Sequence, residues 1–392
     1  DLQEERGRLV YRRGEAHTRV GNFEKAVSIL EAELRRIASP YWNARVANVL
    51  GTACFYLGRY EEALSYYGSG MERLQDGDAP EVRARLYANR GACLNAMGRV
   101  REALDDNERS LVFSRRAGSG YDTVAATAGI AIDLHYLGRF DEALTKAREV
   151  QSLAAHLGNL VYEFKGFELE GFAALSIGDL DCVERVLQGV DRLPKDHDPV
   201  RTLPRIERVR AQLHIARGNR TEALESLRRA MELLEDENDL EDLWGVEIEL
   251  AFLNQAEVGD GATTRALSAI AARARAVKNI VVEIQAVAAI AEILAQGGEC
   301  DAELLRAMTL GLGRAEEAGF VEQAARISVG LGCALIDSGD LRAGQSRLVQ
   351  AQRMLLQIAS DLSPTSRHLF VRSSHVAPAL DEIGRRLSSS PR

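Results

Sequence analysis

The chain has 392 residues, of which 46% are hydrophobic and 27% are charged, a composition typical of a soluble protein with a continuous core. Its 58 acidic residues outnumber its 49 basic residues, and the net charge of −9 argues against general nucleic-acid binding, which needs a basic surface. No run of about 18 apolar residues occurs, so the sequence predicts no membrane-spanning helix.

Cysteines are spread along the chain, an odd number with no pair at Cys-x-x-Cys spacing. This pattern favours buried free thiols in a reducing compartment over a disulfide framework. We therefore expect a cytoplasmic protein, since reducing conditions prevail there. The cysteines are Cys54, Cys93, Cys182, Cys300 and Cys333.

A short sequence motif recurs about every forty residues. It contains a glycine, an apolar residue two positions later and an alanine three positions after that. Its first four copies span residues 20–27, 57–64, 97–104 and 137–144, and weaker copies start at residues 177, 217, 258 and 338. A fixed period of this length is typical of a solenoid in which each unit packs only on its neighbours.

The second copy shows how one unit is expected to fold. Apolar and small residues before Gly58 recur at the spacing of an amphipathic helix, and Ala63 opens a second apolar stripe after it. Gly58 suits the end of the first helix because glycine readily adopts positive φ. Gly51 lets the second helix approach closely. The unit is therefore predicted to be two antiparallel helices joined by a tight turn.

These units resemble tetratricopeptide repeats. In the second unit the resemblance is carried by Leu50, Gly51, Cys54, Leu57, Gly58, Tyr60, Ala63 and Tyr67, and in the last unit by Leu331, Gly332, Leu335, Gly339, Leu341, Leu348 and Ala351. The common repeat has about 34 residues, so the units here are longer. The resemblance implies an all-α, right-handed superhelical solenoid of about nine antiparallel helix pairs. The predicted turns are at Gly21, Gly58, Gly98, Gly138, Gly178, Gly218, Gly259, Gly297 and Gly339.

Two interruptions divide the predicted solenoid. Residues 191–204 contain three prolines and are expected to form a loop or bend between N-terminal repeats 1–5, residues 1–190, and C-terminal repeats 6–9, residues 205–358. After residue 358 the repeat ends and Pro364 breaks the helix. Residues 359–392 are predicted to form a capping helix and tail, because an open apolar end needs a cap.

Motifs of catalysis are absent from the sequence. It has no phosphate-binding loop, no His-Glu-x-x-His and no Gly-x-Ser-x-Gly, and its seven histidines have no Cys or His partner at ligand spacing. We therefore predict that the chain is not an enzyme and holds no metal or cofactor.

In tetratricopeptide folds the first helix of each pair lines a concave groove, and the face of that helix away from the packing stripe predicts a binding site. A cation recurs there in units one, two, three, five and six, which predicts a basic stripe. Two interpretations stay open: a site for an acidic peptide or small anion, and a purely structural role in which the cations form ion pairs between neighbouring repeats or are simply solvated. The predicted groove residues are Arg8, Tyr11, Arg45, Asn48, Thr52, Tyr56, Arg85, Asn89, Asn95, His135, Tyr136, Lys165, Arg205, Arg208 and Gln212.

The long repeat also resembles helical sensor regions of bacterial signalling proteins and transcription regulators. It implies a non-catalytic scaffold that binds another protein or an acidic peptide in a bacterial regulatory protein. One alternative is a sensor for a small-molecule inducer, such as an anion or a sugar, in a signalling ATPase or transcription activator. Another is an accessory region that positions a separate catalytic domain. No nucleic-acid or membrane partner is expected for this region.

Overall fold

The computed structural model describes residues 2–75, 77–194, 203–234 and 240–388. Within these ranges all regular secondary structure is helical. The all-α class predicted from the sequence is thus confirmed. Most of the loop predicted at 191–204 falls on residues 195–202, and residues 389–392 of the predicted tail also lie outside the described ranges.

The described helices follow one another in pairs, as the forty-residue period predicts. Nine pairs run along the chain, and a one-turn helix, α14, interrupts the seventh. In chain order the helices are α1 (Leu2–Arg19), α2 (Phe23–Leu34), α3 (Pro40–Tyr56), α4 (Tyr60–Arg73), α5 (Pro80–Ala96), α6 (Val100–Ala117), α7 (Gly120–Tyr136), α8 (Phe140–Leu157), α9 (Leu160–Ile177), α10 (Leu180–Asp191), α11 (Leu203–Ala216), α12 (Arg220–Leu234), α13 (Leu240–Leu253), α14 (Gln255–Val258), α15 (Asp260–Ala276), α16 (Ile280–Ala295), α17 (Ala302–Ala318), α18 (Val321–Asp337), α19 (Leu341–Asp361), α20 (Pro364–Phe370) and α21 (Val376–Ser388).

The turn within each pair is built on its glycine. Every predicted turn glycine has a positive φ, between 71° at Gly58 and 99° at Gly297, where a side chain would be strained. At the second turn the Arg59 N–H donates to the Cys54 carbonyl over 2.9 Å, a 6→1 bond that closes the helix end. The local sequence therefore determines where each first helix stops.

Small residues let the two helices of a pair touch. A Cβ placed on Gly51 would lie 2.5 Å from the Tyr67 ring, which is 1% exposed and belongs to the second helix of its pair. Gly332 has the same relation to Leu348 in the last pair, with a Cβ contact of 2.7 Å. Because each pair buries its apolar stripe in this way, the core runs between the helices of successive pairs.

The chain divides into two compact units, Asp1–Asp133 and Leu134–Arg392. Unit 1 contains α1 to α6 and most of α7, and unit 2 contains the remaining helices. In unit 2, α21 packs on α18 and α19 of the last pair, whereas α20 contacts α9. Among the described residues, no helix has both the length and the apolar character needed to cross a bilayer.

Candidate functional site

Unit 2 contains a cavity of about 550 Å³. Every first helix of this unit contributes to its wall, and residues 369–375 close one side. On each helix the lining residues are three or four positions apart, so they share one face. Its polar lining comprises His135 on α7, Ser176 on α9, Arg208 and Gln212 on α11, Glu249 on α13, Gln285 and Glu292 on α16, Glu322, Gln323 and Arg326 on α18, and Arg372, Ser373, Ser374 and His375 near the C-terminus.

One side of the cavity carries a buried ion pair. Arg208 donates from Nε and Nη2 to Glu249 Oε1, over 3.1 and 2.8 Å. Gln212 Nε2 donates to the same oxygen over 3.0 Å. Burial lowers the pKa of Arg208, but Glu249 and Asp242 outweigh it, and the net effect is a raised pKa. The guanidinium therefore stays charged, and its carboxylate partner is held in one orientation.

The opposite side carries a second charged group of residues. Arg326 Nε donates to Glu292 Oε1 over 2.7 Å. His375 Nε2 lies 3.6 Å from Glu322 Oε1, too far for a hydrogen bond. Burial lowers the pKa of His375, although the Glu322 carboxylate acts in the other direction, and burial also lowers the pKa of His135. Both imidazoles are therefore favoured in the neutral form, in which one ring nitrogen accepts and the other donates.

Several residues that line the cavity carry buried polar atoms that lack a hydrogen-bond partner. Among the described residues these include Glu249 Oε2, Gln323 Oε1, His135 Nδ1 and His375 Nε2. The side chains of Glu249 and Gln323 are deeply buried, since each residue is only 9% exposed. A buried polar group without a partner costs about 1–3 kcal/mol. A ligand that supplied those partners would recover that free energy.

Unit 1 has a smaller cavity of about 240 Å³. At this cavity the Arg45 guanidinium lies over two aromatic rings. Its Cζ is 4.0 Å from the Tyr11 ring centroid and 5.1 Å from that of Trp42. Arg85 Nε donates to Asp122 over 3.1 Å. The cavity brings together four predicted groove residues, and its lining is Tyr11, Tyr41, Arg45, Asn48, Glu81, Val82 and Arg85.

The predicted asparagines of unit 1 bond to neighbouring repeats. Asn89 Nδ2 donates to Asn48 Oδ1 over 2.9 Å, and at 3.4 Å it also reaches Thr52. Asn95 and Asn107 donate to the two oxygens of Asp133, over 2.6 and 2.7 Å. The bonds of Asn89 and Asn95 therefore link successive first helices, and Asn107 adds a bond from the second helix α6.

Burial raises the pKa of Asp133 to about 7, against the two hydrogen bonds that lower it. The carboxyl is 1% exposed, so water does not solvate its charge. Asp133 is thus a buried acid whose protonation changes near neutral pH.

The cations of the predicted stripe are engaged with acidic or aromatic side chains. Besides Arg45, Arg85 and Arg208 described above, Lys165 Nζ donates to Glu168 over 2.7 Å and Arg205 Nε to Asp242 over 2.7 Å. Arg8 lies 3.4 Å from Glu5 on its own helix. The ion pairs of Arg85, Arg205 and Arg208 join neighbouring repeats, as in the second interpretation of the stripe.

Three of the predicted groove residues, His135, Arg208 and Gln212, line the unit 2 cavity. Tyr136 stacks on Phe320, with ring centroids 4.5 Å apart. Tyr56 is exposed and stacks on Phe23 over 4.8 Å. The structure therefore distributes the predicted set over two cavities and the surface.

Most residues of the unit 2 cavity were not predicted, and five charged or polar ones among them matter for the site: Glu249, Glu292, Gln323, Arg326 and His375. Four of them lie on α13, α16 and α18. The repeats of α13 and α16 depart most from the repeat motif, and α18 begins the repeat that follows them. A signal existed in α16, where Gln285 and Glu292 lie seven positions apart on one face of a helix whose one other polar residue is Glu283. His375 follows the last repeat, and only tertiary packing places it here.

Residues 6–76 match the tetratricopeptide repeat family. No curated protein matches the chain by sequence. A solved Rap protein complexed with competence and sporulation factor is 10% identical, with a TM-score of 0.61 over 92% of this chain and 100% of that chain.

NprR in complex with its cognate peptide NprX is 14% identical, with a TM-score of 0.58 over 80% of this chain and 88% of that chain. The Rap conjugation gene regulator of plasmid pLS20, in complex with the Phr* peptide, is 16% identical, with a TM-score of 0.56 over 74% of this chain and 77% of that chain. Residues 6–76 thus match tetratricopeptide repeats, and the likeness to these solved structures shows that the helix pairs share their fold.

Proposed function

We propose that the chain is a non-catalytic scaffold that binds an extended peptide in the unit 2 cavity, as part of a cytoplasmic bacterial regulatory protein. The observation that carries the proposal is the set of buried polar atoms without partners on the cavity wall. A peptide backbone offers both N–H donors and carbonyl acceptors, and therefore suits a wall that has acceptors on Glu249 and Gln323 and a free nitrogen on each of two imidazoles.

The size of the cavity supports a ligand of this kind. Ligand sites in proteins span roughly 300–1,000 Å³, and the cavity of about 550 Å³ has room for a few residues of an extended chain. Phe172, Ile248 and Phe252 add apolar surface between the polar groups. Alternating side chains of a peptide would contact this surface while the backbone bonds to the polar wall.

The comparisons add support from the fold. NprR and two Rap proteins, each solved in complex with a peptide or a factor, share the helix-pair architecture with this chain. Their low sequence identity means that the residues that contact the ligand must be argued from this chain alone. We place recognition on Glu249, Gln323 and Gln212 for that reason.

The predicted preference for an acidic segment depends on cations that already hold carboxylates. An acidic side chain would have to displace Glu249 from Arg208 or Glu292 from Arg326. Breaking a buried ion pair is costly, because the released charge needs a new partner. We therefore assign the main recognition to the peptide backbone, with ionic contacts as a secondary contribution.

A small polar metabolite is the second candidate ligand. Residues 369–375 close one side of the cavity, which favours a compact ligand over a long one. Such a ligand would make the chain an inducer sensor rather than a peptide receptor.

Selection from a random peptide library on the full chain tests the proposal. We expect enriched peptides whose affinity falls at least tenfold in Glu249→Gln, because one charge-assisted acceptor is lost. Glu247→Gln is the matched control, since this residue lies on the same helix but pairs with Arg273 outside the cavity.

Equal binding by the parent chain and Glu249→Gln would contradict the proposed site. Failure to enrich any peptide would contradict peptide binding. In that case, a metabolite that raises the thermal midpoint of the parent but not of Glu249→Gln would establish the second candidate.

A further inference from the structure

We propose that residues 362–375, which we name the C-terminal strap, form a gate over the unit 2 cavity. Five strap residues line the cavity: Leu369, Arg372, Ser373, Ser374 and His375. The strap runs from the end of α19 to the start of α21, so it is tethered at both ends. The inference rests on the cavity itself and does not depend on which ligand the cavity binds.

The first attachment of the strap is to a single carboxylate. Ser363 donates its backbone N–H to Asp141 Oδ2 over 2.6 Å, and Ser366 donates its hydroxyl to Asp141 Oδ1 over 2.5 Å. Asp141 lies in the first turn of α8, more than two hundred residues earlier in the chain. Asp141 is therefore the residue outside the tethering helices that accepts two bonds from the strap, while Arg367 donates to the Ala359 and Ser360 carbonyls at the end of α19.

The second attachment is apolar. Phe370 is fully buried, and its ring centroid lies 6.2 Å from that of Phe140 on α8. Ser373 packs against the Gly178 turn so closely that a Cβ on that glycine would lie 2.7 Å from the Ser373 Cβ. The strap therefore occupies a site that the α9–α10 turn leaves open only because residue 178 is glycine.

The third attachment is at the hinge with α21. His375 lies 3.6 Å from Glu322 on α18 and lines the cavity together with Ser176 of α9. Beyond it, α21 stays fixed to α18, because Arg386 forms an ion pair with Asp337. Opening of the strap would thus leave α19 and α21 in place.

Between these attachments the strap is exposed. Pro364, Thr365, Arg367 and His368 are exposed, and Phe370 is the one large side chain buried between Ser363 and His375. Segments with few buried apolar contacts open locally at a lower free energy than the core. Apart from the Arg367 bonds to the end of α19, the strap is held mainly by one carboxylate, one aromatic ring, Ser373 and His375, and is therefore the part of the cavity wall that opens first.

Thiol labelling of the full chain tests the gate without any ligand. Ala289→Cys places a thiol on the cavity wall, and Cys300→Ser removes the native cysteine that is not buried. In this background we expect Asp141→Asn to increase the labelling rate of residue 289 by methyl methanethiosulfonate at least tenfold. Hydrogen exchange in residues 362–375 should rise in parallel.

Glu142→Gln is the matched control, since it removes the neighbouring charge from the same helix turn but pairs with Arg139 instead of the strap. We expect this control to label at the rate of the parent. Ser366→Ala removes one bond to the strap and keeps the Asp141 charge. It replaces Asp141→Asn in the labelling experiment if Asp141→Asn lowers the thermal midpoint of the chain. Faster strap exchange with unchanged labelling of residue 289 would overturn the gate, and so would unchanged exchange in both strap variants.

Discussion

The two units use the same repeat but treat the polar residues of their first helices differently. In unit 1, Asn48 and Asn89 bond to each other, and Asn95 bonds to Asp133, which also accepts from Asn107 on the second helix α6. In unit 2, Glu249 and Gln323 each keep a buried oxygen without a partner on a cavity wall. The repeat thus supplies positions that face inward, and the side chains at those positions decide whether neighbouring helices are linked or a binding space is left.

The largest expected effect is on the free energy of unfolding, and it compares how rigid a close helix contact is in each unit. A Cβ on Gly330 in unit 2 would collide with the backbone of Ala291, whereas a Cβ on Gly14 in unit 1 would meet only the tip of Leu30. We expect Gly330→Ala to lower the free energy of unfolding by about 3 kcal/mol, since overpacking against backbone cannot relax, and Gly14→Ala by about 1 kcal/mol. Urea denaturation measures both. Equal losses of unfolding free energy for the two variants would contradict the idea that the backbone contact at Gly330 is more rigid than the side-chain contact at Gly14.

The next prediction tests the pairing of polar groups directly. Asn107→Ala would leave buried Asp133 with one donor fewer, and we expect a loss of about 2 kcal/mol in the free energy of unfolding. Gln323→Ala removes an oxygen that has no partner, so we expect a loss of less than about 1 kcal/mol. Chemical denaturation at one pH gives both values. A larger loss for Gln323→Ala would contradict the contrast between the units.

The last prediction concerns the sign of the pH dependence rather than the size of a stability change. Burial raises the pKa of Asp133 to about 7, from an ordinary value of 3.8, so the native state binds more protons than the unfolded state between these limits. The contribution of Asp133 to stability therefore falls as pH rises from about 4 to 7, by at most about 1.4 kcal/mol per pH unit. Burial lowers the pKa of His135 and His375, so their contribution falls instead as pH drops below 6.5.

Hydrogen exchange at several pH values distinguishes the opposite pH dependences of the two units, because it reports on α5 and α6 of unit 1 separately from α18 of unit 2. Asp133→Asn should remove the component in unit 1 and leave that of unit 2, whereas His375→Gln should reduce the component in unit 2, to which His135 also contributes, and leave that of unit 1. The same sign of pH dependence in both units would contradict this assignment.

The helix pairs could be predicted because their signals are local. A glycine such as Gly58 is needed where the backbone takes positive φ, and Ala63 and Gly51 recur where two adjacent helices touch. These requirements act within about forty residues, so one sequence without relatives displays them. The same logic predicted that first helices face inward, and it found His135, Arg208 and Gln212 at the unit 2 cavity.

The partners of those residues could not be predicted in this way. Arg208 bonds to Glu249, 41 positions later, and Ser366 bonds to Asp141, 225 positions earlier. The forty-residue period predicts which positions face inward, but it does not predict which of their side chains bond to each other. The sequence by itself determined the helix pairs, their turns and the inward face, since each depends on short-range sterics and periodic burial. Tertiary structure alone decided which charges are neutralised, which polar atoms face a cavity and where the C-terminal strap lies, because those outcomes depend on packing between distant repeats.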